Sequence, residues 1–351
     1  MNRKAIALFS GGLDSTLAVL TILKQGIEVK AITFLTPFGC SEPETLHARH
    51  KFLGESFGFE VRFYNIKDRF MDIVKNPGFG YGKNMNPCID CKILMLREAG
   101  VLMDEIGADF IITGEVLGQR PMSQRKDVLQ LIDREAEVVD YVLRPLSAKL
   151  MKITIPEVKG MVNRDRLYDF SGRSRKPQMA LAKGLGFTDY PTPAGGCLLT
   201  EPNYAHRLKD LLTCTPDPGF EDLSLLKIGR HFRFSPFCKI IIGRNRSENE
   251  KIVSLSRDDD CLVRVEGYGS PITLVKGEIT AEAINAAASL CARYSDAKNL
   301  SEVAVEVIKG DSIFRYTVSP ATNEIIEDLR IELKSPITKL QVPSSKISGY
   351  W

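Results

Sequence analysis

Two groups of residues in this sequence could carry chemistry: a serine- and glycine-rich turn near the N-terminus and three cysteines farther along. The turn, SGGLDS at residues 10–15, follows the apolar run 5–9 directly and precedes a helical pattern. Glycine costs backbone entropy there, so local stability does not explain it. Backbone N–H groups in such a turn, with a helix N-terminus behind them, form an anion site. The segment predicts a phosphate-binding loop; an ordinary capped turn is the alternative.

The acid inside this turn needs its own explanation, because a carboxylate beside a phosphate repels it. Asp14 makes sense if it orients the loop or helps to hold a Mg²⁺ that bridges phosphates. The turn lacks the Gly-Lys-Ser/Thr ending of a Walker A loop and does not match the GxGxxG dinucleotide fingerprint. It therefore indicates a nucleotide site of another kind.

The first two cysteines form a CxxC motif at the start of a predicted helix. We expect Asn86 at the N-cap and Pro87 at the first helical position, which places Cys88 and Cys91 on one face of the first turns. The positive end of the helix dipole favours the thiolate form there. A nucleophile or a metal ligand needs that charge state.

The third cysteine, Cys197, lies in the glycine-containing stretch PAGGCLLTEP. Three roles fit the set: a [4Fe–4S] cluster held by three thiolates, a persulfide resolved through a disulfide, or an inert or zinc-binding group. Three cysteines favour the cluster, since the persulfide route needs only two. His47 and His50 are interpreted as a polar helix face. The remaining cysteines are interpreted as core residues: Cys40, Cys214, Cys238, Cys261 and Cys291.

The elements that must position these residues alternate between short apolar runs and amphipathic stretches over the first 145 residues. Strands are predicted at 5–9, 29–35, 61–66, 109–113 and 141–146, with helices between them. Nearly continuous apolar strands that alternate with helices indicate a parallel sheet covered on both faces. The predicted fold is a doubly wound α/β domain, in which ligands bind beyond the carboxyl ends of the strands.

Beyond this domain the composition changes twice. Residues 1–150 are predicted to form the nucleotide-binding domain, and 151–212 a basic, cysteine-containing module packed against it. Residues 213–310 contain short strand-like runs and an alanine-rich helix, which predicts a smaller α+β domain. Residues 311–351 are predicted to be a C-terminal extension.

Composition limits the class of protein. Of the 351 residues 44% are hydrophobic and the net charge is +3, as is usual for a globular protein without a strongly basic character. No apolar run approaches the roughly 20 residues that span a bilayer. The N-terminal apolar run breaks at two glycines and lacks a signal-peptidase site. We expect a cytoplasmic protein without a membrane partner.

The motif SGGLDS resembles the PP-loop of the ATP pyrophosphatase superfamily, with its adenine nucleotide alpha hydrolase-like fold. The resemblance implies cleavage of ATP between the α and β phosphates, transfer of AMP to a substrate oxygen, and displacement of AMP by a nucleophile. It also implies that Thr33 and Phe34 lie beside the adenine. The residues expected to hold ATP and Mg²⁺ at the loop are Ser10, Gly11, Gly12, Asp14 and Ser15.

A second resemblance narrows the family. ITGEVLGQRPMSQ (112–124) and LRPLSAKL (143–150) are similar to stretches of tRNA 4-thiouridine synthetases, and we expect Gly114, Gln119 and Gln124 to line the site. NPCxxC resembles the cysteine loop of tRNA 2-thiouridylases, and Cys197 resembles their second sulfur-handling cysteine. The sequence starts directly at the PP-loop, so we expect no N-terminal RNA-binding module of that family, and we recognise no rhodanese domain.

The C-terminal part carries a basic pattern on strand-like segments. The motifs GRHFRFS, IIIGRN and ARYSDAK resemble the NFACT-R RNA-binding domain of ribosome quality-control factors. A solvated basic face is the alternative. The segment GRSRKPQ (172–178) adds Arg173, Arg175 and Lys176, which could touch the same RNA or a substrate phosphate. The strand-like stretch 226–255 also carries His231. The side chains in it that are expected to bind RNA are Arg230, Arg233, Lys239, Arg244 and Arg246.

Together these features predict an ATP-dependent sulfurtransferase that acts on uridine in tRNA. Its catalytic residues would be Asp14, Cys88, Cys91 and Cys197, and a cysteine desulfurase or sulfide would supply sulfur. Two alternatives remain. One is a PP-loop enzyme that sulfurates or amidates a small molecule. The other is a non-catalytic RNA-binding adaptor on an old ATP-binding fold.

Overall fold

The structure, a computed structural model, describes residues 3–39, 43–191 and 197–332. The chain divides into two compact units on either side of the Leu198–Leu199 peptide. Within the described part, no helix is long and apolar enough to cross a membrane.

The first unit is built on a parallel sheet of five strands in the order β3-β2-β1-β4-β5. Its elements in chain order are β1 (Lys4–Leu8), α1 (Leu13–Leu23), β2 (Glu28–Leu35), α2 (Pro43–Phe57), β3 (Glu60–Asn65), α3 (Lys67–Lys75), α4 (Cys88–Ile106), β4 (Phe110–Thr113), α5 (Lys126–Glu135), β5 (Val142–Leu143), α6 (Ile155–Val158) and α7 (Lys176–Gly184). The order reverses at β1, whose neighbours are β2 and β4, and this reversal is the usual position of a ligand crevice.

Both faces of this sheet are buried, as its near-continuous apolar strands predict. Ala5 and Ala7 belong to a core cluster that also contains residues of α1 and α7. Ile6, on the opposite face of β1, belongs to a second cluster with residues of α4 and α5. The predicted doubly wound α/β fold is confirmed. β5 is shorter than predicted: only Val142 and Leu143 pair with β4.

The second unit contains an antiparallel sheet in the order β11-β10-β8-β9-β7-β6. Its elements are α8 (Pro202–Cys214), α9 (Phe220–Leu225), β6 (Arg230–Ser235), β7 (Cys238–Ile242), α10 (Arg246–Leu255), β8 (Cys261–Val265), β9 (Thr273–Gly277), α11 (Ala281–Arg293), β10 (Val303–Lys309), β11 (Ser312–Val318) and α12 (Asn323–Leu329). Helix α11 packs on the sheet through small residues, including Ala283, Ala287 and Ala288. The predicted smaller α+β domain is confirmed.

The compact units differ from the predicted four-part division. Val162, Leu167 and Phe187 share a core cluster with β1, so most of the predicted module 151–212 folds as part of the first unit. β11 lies beyond the predicted boundary at 310 but pairs with β10 along its whole length. Chain composition changes at these boundaries, whereas core packing continues across them.

Candidate active site

The turn between β1 and α1 is shaped by its own serines. Gly11 adopts a left-handed conformation with φ +65°, and Gly12 occupies the N-cap of α1. The backbone N–H of Ser10 donates to Ser15 Oγ at 3.3 Å, and Ser15 Oγ donates to the Gly12 carbonyl at 3.1 Å. The Ser10 and Ser15 hydroxyl oxygens lie 3.1 Å apart. These contacts within the turn fix its shape.

Glycine is required at different positions of the site for different reasons. A Cβ atom at Gly11 would lie 2.3 Å from His50 Nε2, and one at Gly114 would lie 2.4 Å from the Ser15 backbone nitrogen. At these two positions the protein itself excludes a side chain. A Cβ at Gly12 would meet only Ser10 Oγ, at 3.5 Å. Gly12 thus leaves room above the helix N-terminus, where backbone N–H groups can meet an anion.

His50 corrects one expectation. It lies on α2 but is only 1% exposed, beneath the turn, rather than on a polar surface. Its Nδ1 lies 2.9 Å from Thr33 Oγ1, and its Nε2 has no hydrogen-bond partner among the described residues. Burial lowers the pKa of His50 to about 4, so the ring is neutral at pH 7. The sequence signal was weak because α2 is polar overall.

Thr33 lies beside His50 beneath the turn. It is buried, and its hydroxyl donates to the Phe9 carbonyl at 2.9 Å while also contacting His50. The Thr33 hydroxyl is therefore used within the protein and supports the turn from below, and the expected position of Thr33 beside the adenine stays a prediction. Phe34, the next residue, is half-buried near Tyr64, with ring centroids 6.4 Å apart.

Asp14 is the charged centre of the site. Gln119 Nε2 donates to Asp14 Oδ2 at 2.9 Å, and Arg175 Nη2 lies 3.9 Å from the same oxygen. Gln119 comes from a loop that Gln124 shapes: Gly118 N–H donates to the Gln124 carbonyl at 2.7 Å, and Arg120 N–H to its side-chain oxygen at 3.0 Å. Gln124 thus supports the loop internally rather than lining the site.

Several buried polar atoms at this centre lack partners within the described part of the chain. They are Asp14 Oδ1, Gln119 Oε1 and Arg175 Nε, in addition to His50 Nε2 beneath the turn. Buried polar groups are normally satisfied, so such a concentration is typical of a binding site. A carboxylate oxygen, an amide oxygen and a guanidinium fit a hydrated Mg²⁺ together with phosphate oxygens.

The three cysteines come together at the same edge of the sheet. Cys88 begins α4 and Cys91 lies one turn later, while Cys197 forms a β-bridge with Gly39, just beyond β2. Cys197 Sγ is 4.0 Å from Asn86 Oδ1, and both Cys88 and Cys197 act electrostatically to raise the pKa of Cys91. Residues separated by more than 100 positions in sequence thus form one cluster.

The protonation of Cys91 differs from the expectation. Burial raises the pKa of Cys91 to about 12, and the neighbouring Lys92 charge only partly offsets this. Desolvation outweighs the helix dipole here. The helix start is also shifted by one residue: Pro87 occupies the N-cap position without a side-chain hydrogen bond, and Asn86 precedes it.

Across residues 3–39, 43–191 and 197–332, no three His, Cys, Asp or Glu side chains are placed to hold one metal ion. A [4Fe–4S] cluster binds each of its thiolates to a different iron, so a single-ion site is not what it requires. The expected ligation by Cys88, Cys91 and Cys197 stays a prediction.

A buried charge network, which sequence reasoning missed, connects the cysteine helix α4 to Glu115, the residue after Gly114. Lys92 Nζ lies 2.6 Å from Glu115 Oε1, and Arg144 Nε donates to Glu115 Oε2 at 3.0 Å. Arg144 also forms a bidentate pair with Asp133, at 2.7 and 2.8 Å. Burial would raise the pKa of Glu115, but Lys92 and Arg144 outweigh it and lower the value to about 2.

In the second unit, the predicted RNA-facing residues lie in different environments. Lys239 is buried and pairs with Asp210, which also holds Arg233 in a bidentate pair. His231 is fully buried and hydrogen-bonds the Ile228 carbonyl, so neither it nor Lys239 lies on an open basic face. Burial lowers the pKa of Lys239 to about 8.

The other three basic side chains are nearer the surface. The Arg230 guanidinium lies 4.5 Å from the centre of the Tyr294 ring. Arg244 pairs with Glu248, and Arg246 pairs with Glu250 while remaining 94% exposed. An alternation of basic and apolar residues did not distinguish a surface cation from a buried ion pair.

Comparison with known protein families finds one match within each of the two units. Residues 1–158 match the family model described as thiamine biosynthesis protein (ThiI), and residues 229–330 match the NFACT protein RNA binding domain. Both resemblances are confirmed. The ThiI match contains the turn, Gly114, Gln119 and the two cysteines of α4, whereas Cys197 lies outside both matched segments.

Curated relatives match part of this chain at low identity. A probable tRNA sulfurtransferase of Thermococcus kodakarensis is 26% identical, over 41% of this chain and 36% of the relative. One of Lysinibacillus sphaericus is 31% identical, over 45% and 39%. A tRNA-specific 2-thiouridylase MnmA of Sulfurimonas denitrificans is 27% identical, over 33% and 36%. The chain therefore spans less than two fifths of these relatives' length.

A solved 4-thiouridine synthetase–RNA complex with bound ATP is 22% identical to this chain. The similarity covers 52% of this chain and 51% of that chain, with a TM-score of 0.34.

Proposed function

We propose that this protein is an ATP-dependent tRNA sulfurtransferase that forms thiouridine. The observation that carries the proposal is the convergence of Cys88, Cys91 and Cys197 at the sheet edge that also holds the Asp14 turn. The ThiI match and the names of the relatives support the same chemistry. Sulfur transfer to a nucleotide-activated substrate needs both groups in one site.

In the first step, a uridine carbonyl oxygen attacks the α-phosphorus of ATP. The bond from that phosphorus to the α–β bridging oxygen breaks, pyrophosphate leaves with the electron pair, and the N3 proton of the base passes to solvent. Ser10, Gly12 and Ser15 would bind phosphate oxygens at the helix N-terminus, while Asp14 would hold Mg²⁺. The ion, when bound, supplies charge neutralisation for the phosphates. Positioning and charge stabilisation are the main catalytic contributions to such a transfer.

The remaining ATP-site assignments follow from the loops around the turn. Gly11 and Gly114 allow the close packing that shapes it, and Gln119 orients the Asp14 carboxylate. Phe34 stays a candidate for contact with the adenine because it ends β2 and is half-buried.

In the second step, sulfur replaces AMP. The terminal sulfur of a cysteine persulfide attacks the base carbon, and the carbon–oxygen bond to AMP breaks. A second cysteine thiolate then attacks the first cysteine's sulfur, so the S–S bond breaks, the base keeps the transferred sulfur and a protein disulfide forms. A dithiol reductant resets the pair. Cys197 and one cysteine of the CxxC supply the two thiols. A cysteine desulfurase would renew the persulfide on a reduced thiol. Sulfide would renew it instead by attacking the protein disulfide, which breaks the S–S bond and leaves a persulfide and a free thiolate.

The acceptor is proposed to be tRNA because the NFACT-type domain is described as RNA-binding. Arg230 and Arg246, which retain surface access, and Arg244, which is partly exposed, are the candidates for phosphate contacts. One observation favours the small-molecule alternative: Arg233 and Lys239 are neutralised by Asp210, which reduces the open positive charge of this unit.

The test is mass spectrometry of total tRNA nucleosides from a strain that lacks the protein. We expect one thionucleoside to disappear and to return with the wild type but not with Asp14→Ala or Cys197→Ala. Cys214→Ala is the matched control, since Cys214 is a half-buried cysteine of the second unit, and it should restore the nucleoside. An unchanged nucleoside profile in the deletion strain would overturn the tRNA acceptor and direct the search to small molecules.

A further inference from the structure

A segment outside the ThiI-matched residues reaches the nucleotide turn. Ser171 forms a β-bridge with Leu117, and Gly172 N–H donates to the Leu117 carbonyl at 2.8 Å. Ser147 ties both sides together: its hydroxyl donates to the Phe170 carbonyl at 2.6 Å and accepts from Leu117 N–H at 2.9 Å. The chain at 170–172 is therefore anchored beside the loop that carries Gln119.

This anchoring brings Arg175 to Asp14. The Arg175 side chain is 19% exposed, its Nη2 lies 3.9 Å from Asp14 Oδ2, and its Nε has no partner in the part of the chain described. A separation of 3.9 Å is longer than a hydrogen bond. Arg175 is thus held next to the turn while most of its five donors remain available.

We infer that Arg175 binds the pyrophosphate portion of ATP and belongs to the phosphate site, although it comes from a different part of the chain. The inference rests on the proposed function only in taking ATP as the ligand. Without ATP, Arg175 and Asp14 balance each other's charge. When ATP binds with Mg²⁺, Asp14 gains the cation as its partner and the planar guanidinium can turn to phosphate oxygens in a bidentate pair.

Two features of α7 support a polyanion at this position. Arg175 precedes the first residue of this nine-residue helix and therefore lies at the positive end of the helix dipole. Gln178, three residues later, is fully buried, yet neither its amide nitrogen nor its amide oxygen has a partner among the described residues. Buried amides are normally hydrogen-bonded, so Gln178 keeps unused donor and acceptor capacity about one turn after Arg175.

The neighbouring cations do not share this position. Arg173 and Lys176 are exposed, whereas Arg175 is half-buried and forms the ion pair with Asp14. A contact to RNA phosphates would use exposed side chains first. Arg175 therefore fits the nucleotide in the crevice better than an RNA backbone on the surface.

The test is calorimetric titration of the full chain with ATP, pyrophosphate or AMP, each in the presence of Mg²⁺. Arg175→Ala should weaken binding of ATP and pyrophosphate by about ten- to a hundredfold, as expected for the loss of charge-assisted hydrogen bonds. AMP binding should stay within about twofold of the wild type, because a bidentate contact is made only where the β and γ phosphates are present. The affinity of Arg175→Lys for ATP and for pyrophosphate should lie between that of the wild type and that of Arg175→Ala, since lysine keeps the charge without the bidentate geometry.

Lys183→Ala is the matched control, because it removes one exposed cation from the same helix. It should bind all three ligands like the wild type. Thermal unfolding of each variant establishes that it is folded, and Arg175→Lys keeps the test decisive if the alanine variant is not.

Three outcomes would overturn the inference: unchanged ATP and pyrophosphate binding, equal losses for AMP and pyrophosphate, or a loss confined to tRNA binding. The last would assign Arg175 to RNA instead. A wild type that binds ATP and pyrophosphate but restores no thionucleoside would refute the proposed function and leave this inference standing. A wild type that binds neither ligand would overturn both.

Discussion

The turn around Asp14 and the basic strands β6 and β7 look equally functional in sequence, but their charged groups are used differently. At the turn, Asp14, Gln119 and Arg175 each keep a buried polar atom without a partner among the described residues. On β6 and β7, Arg233 and Lys239 share one carboxylate, that of Asp210. Residue type identifies groups that can bind a ligand. Whether they are available depends on what the fold has already paired them with.

The largest expected effect is that of a substitution at Asp14 in the turn. Asp14→Ala should lower AMP formation by about a thousandfold, because it removes the carboxylate proposed to hold Mg²⁺ at the reacting phosphates. The unfolding temperature should change little, since the Asp14 side chain makes one hydrogen bond and one long ion pair. AMP release with tRNA and ATP is the measurement. Normal release by a folded variant would refute the role.

Asp210→Ala tests the paired charges on β6 and β7. It leaves the buried Lys239 and the half-buried Arg233 without their shared partner, so we expect the second unit to lose about 2–4 kcal/mol of unfolding free energy. Denaturant unfolding measures this. Asp210→Asn, which keeps the size and a hydrogen-bonding oxygen, should cost less. A loss below about 0.5 kcal/mol would mean that the pairs behave like solvated surface charges.

A pH titration sharpens the account of the turn. The folded pKa of His50, about 4, is below its ordinary value of 6.5, so the unfolded chain binds more protons between these values. His50 therefore lowers the free energy of unfolding as pH falls from 6.5 toward 4, by about 2–3 kcal/mol. The difference between wild type and His50→Gln, measured by denaturant unfolding at each pH, should show this slope. A pH-independent difference would mean that the His50 pKa is not lowered.

The smallest effect concerns the surface. Arg246 is 94% exposed and pairs with Glu250 one turn away, so Arg246→Ala should change stability by less than about 0.5 kcal/mol. If this side chain meets RNA phosphate, tRNA affinity should fall a few-fold and the slope of log affinity against log salt should decrease by about one. Arg257→Ala, which breaks a comparable exposed pair with Glu221, is the control. Equal effects of the two variants on the salt slope would argue against a specific contact.

Most of the first unit's organisation could be read from local patterns. The apolar runs and the turn residues between them predict β1–β4 to within one residue, because burial on both faces leaves a strong signal. β5 was overestimated: the apolar run continues through Pro145 and Leu146, but only two residues pair with β4. The buried pairing of Lys92 with Glu115 left no signal, because the stretch 112–124 that contains Glu115 indicates a family resemblance but not the partner of a single side chain.

The sequence by itself determined the doubly wound sheet, the position of the turn between β1 and α1, and the candidate cysteines. Each depends on residues adjacent in the chain, where periodicity and backbone preference act directly. Tertiary structure alone decided that Cys197 joins Cys88 and Cys91, that His50 supports Gly11, that Arg175 meets Asp14, and that Asp210 neutralises Lys239. These contacts join residues distant in sequence, and burial and pairing there set the charge and availability of each group.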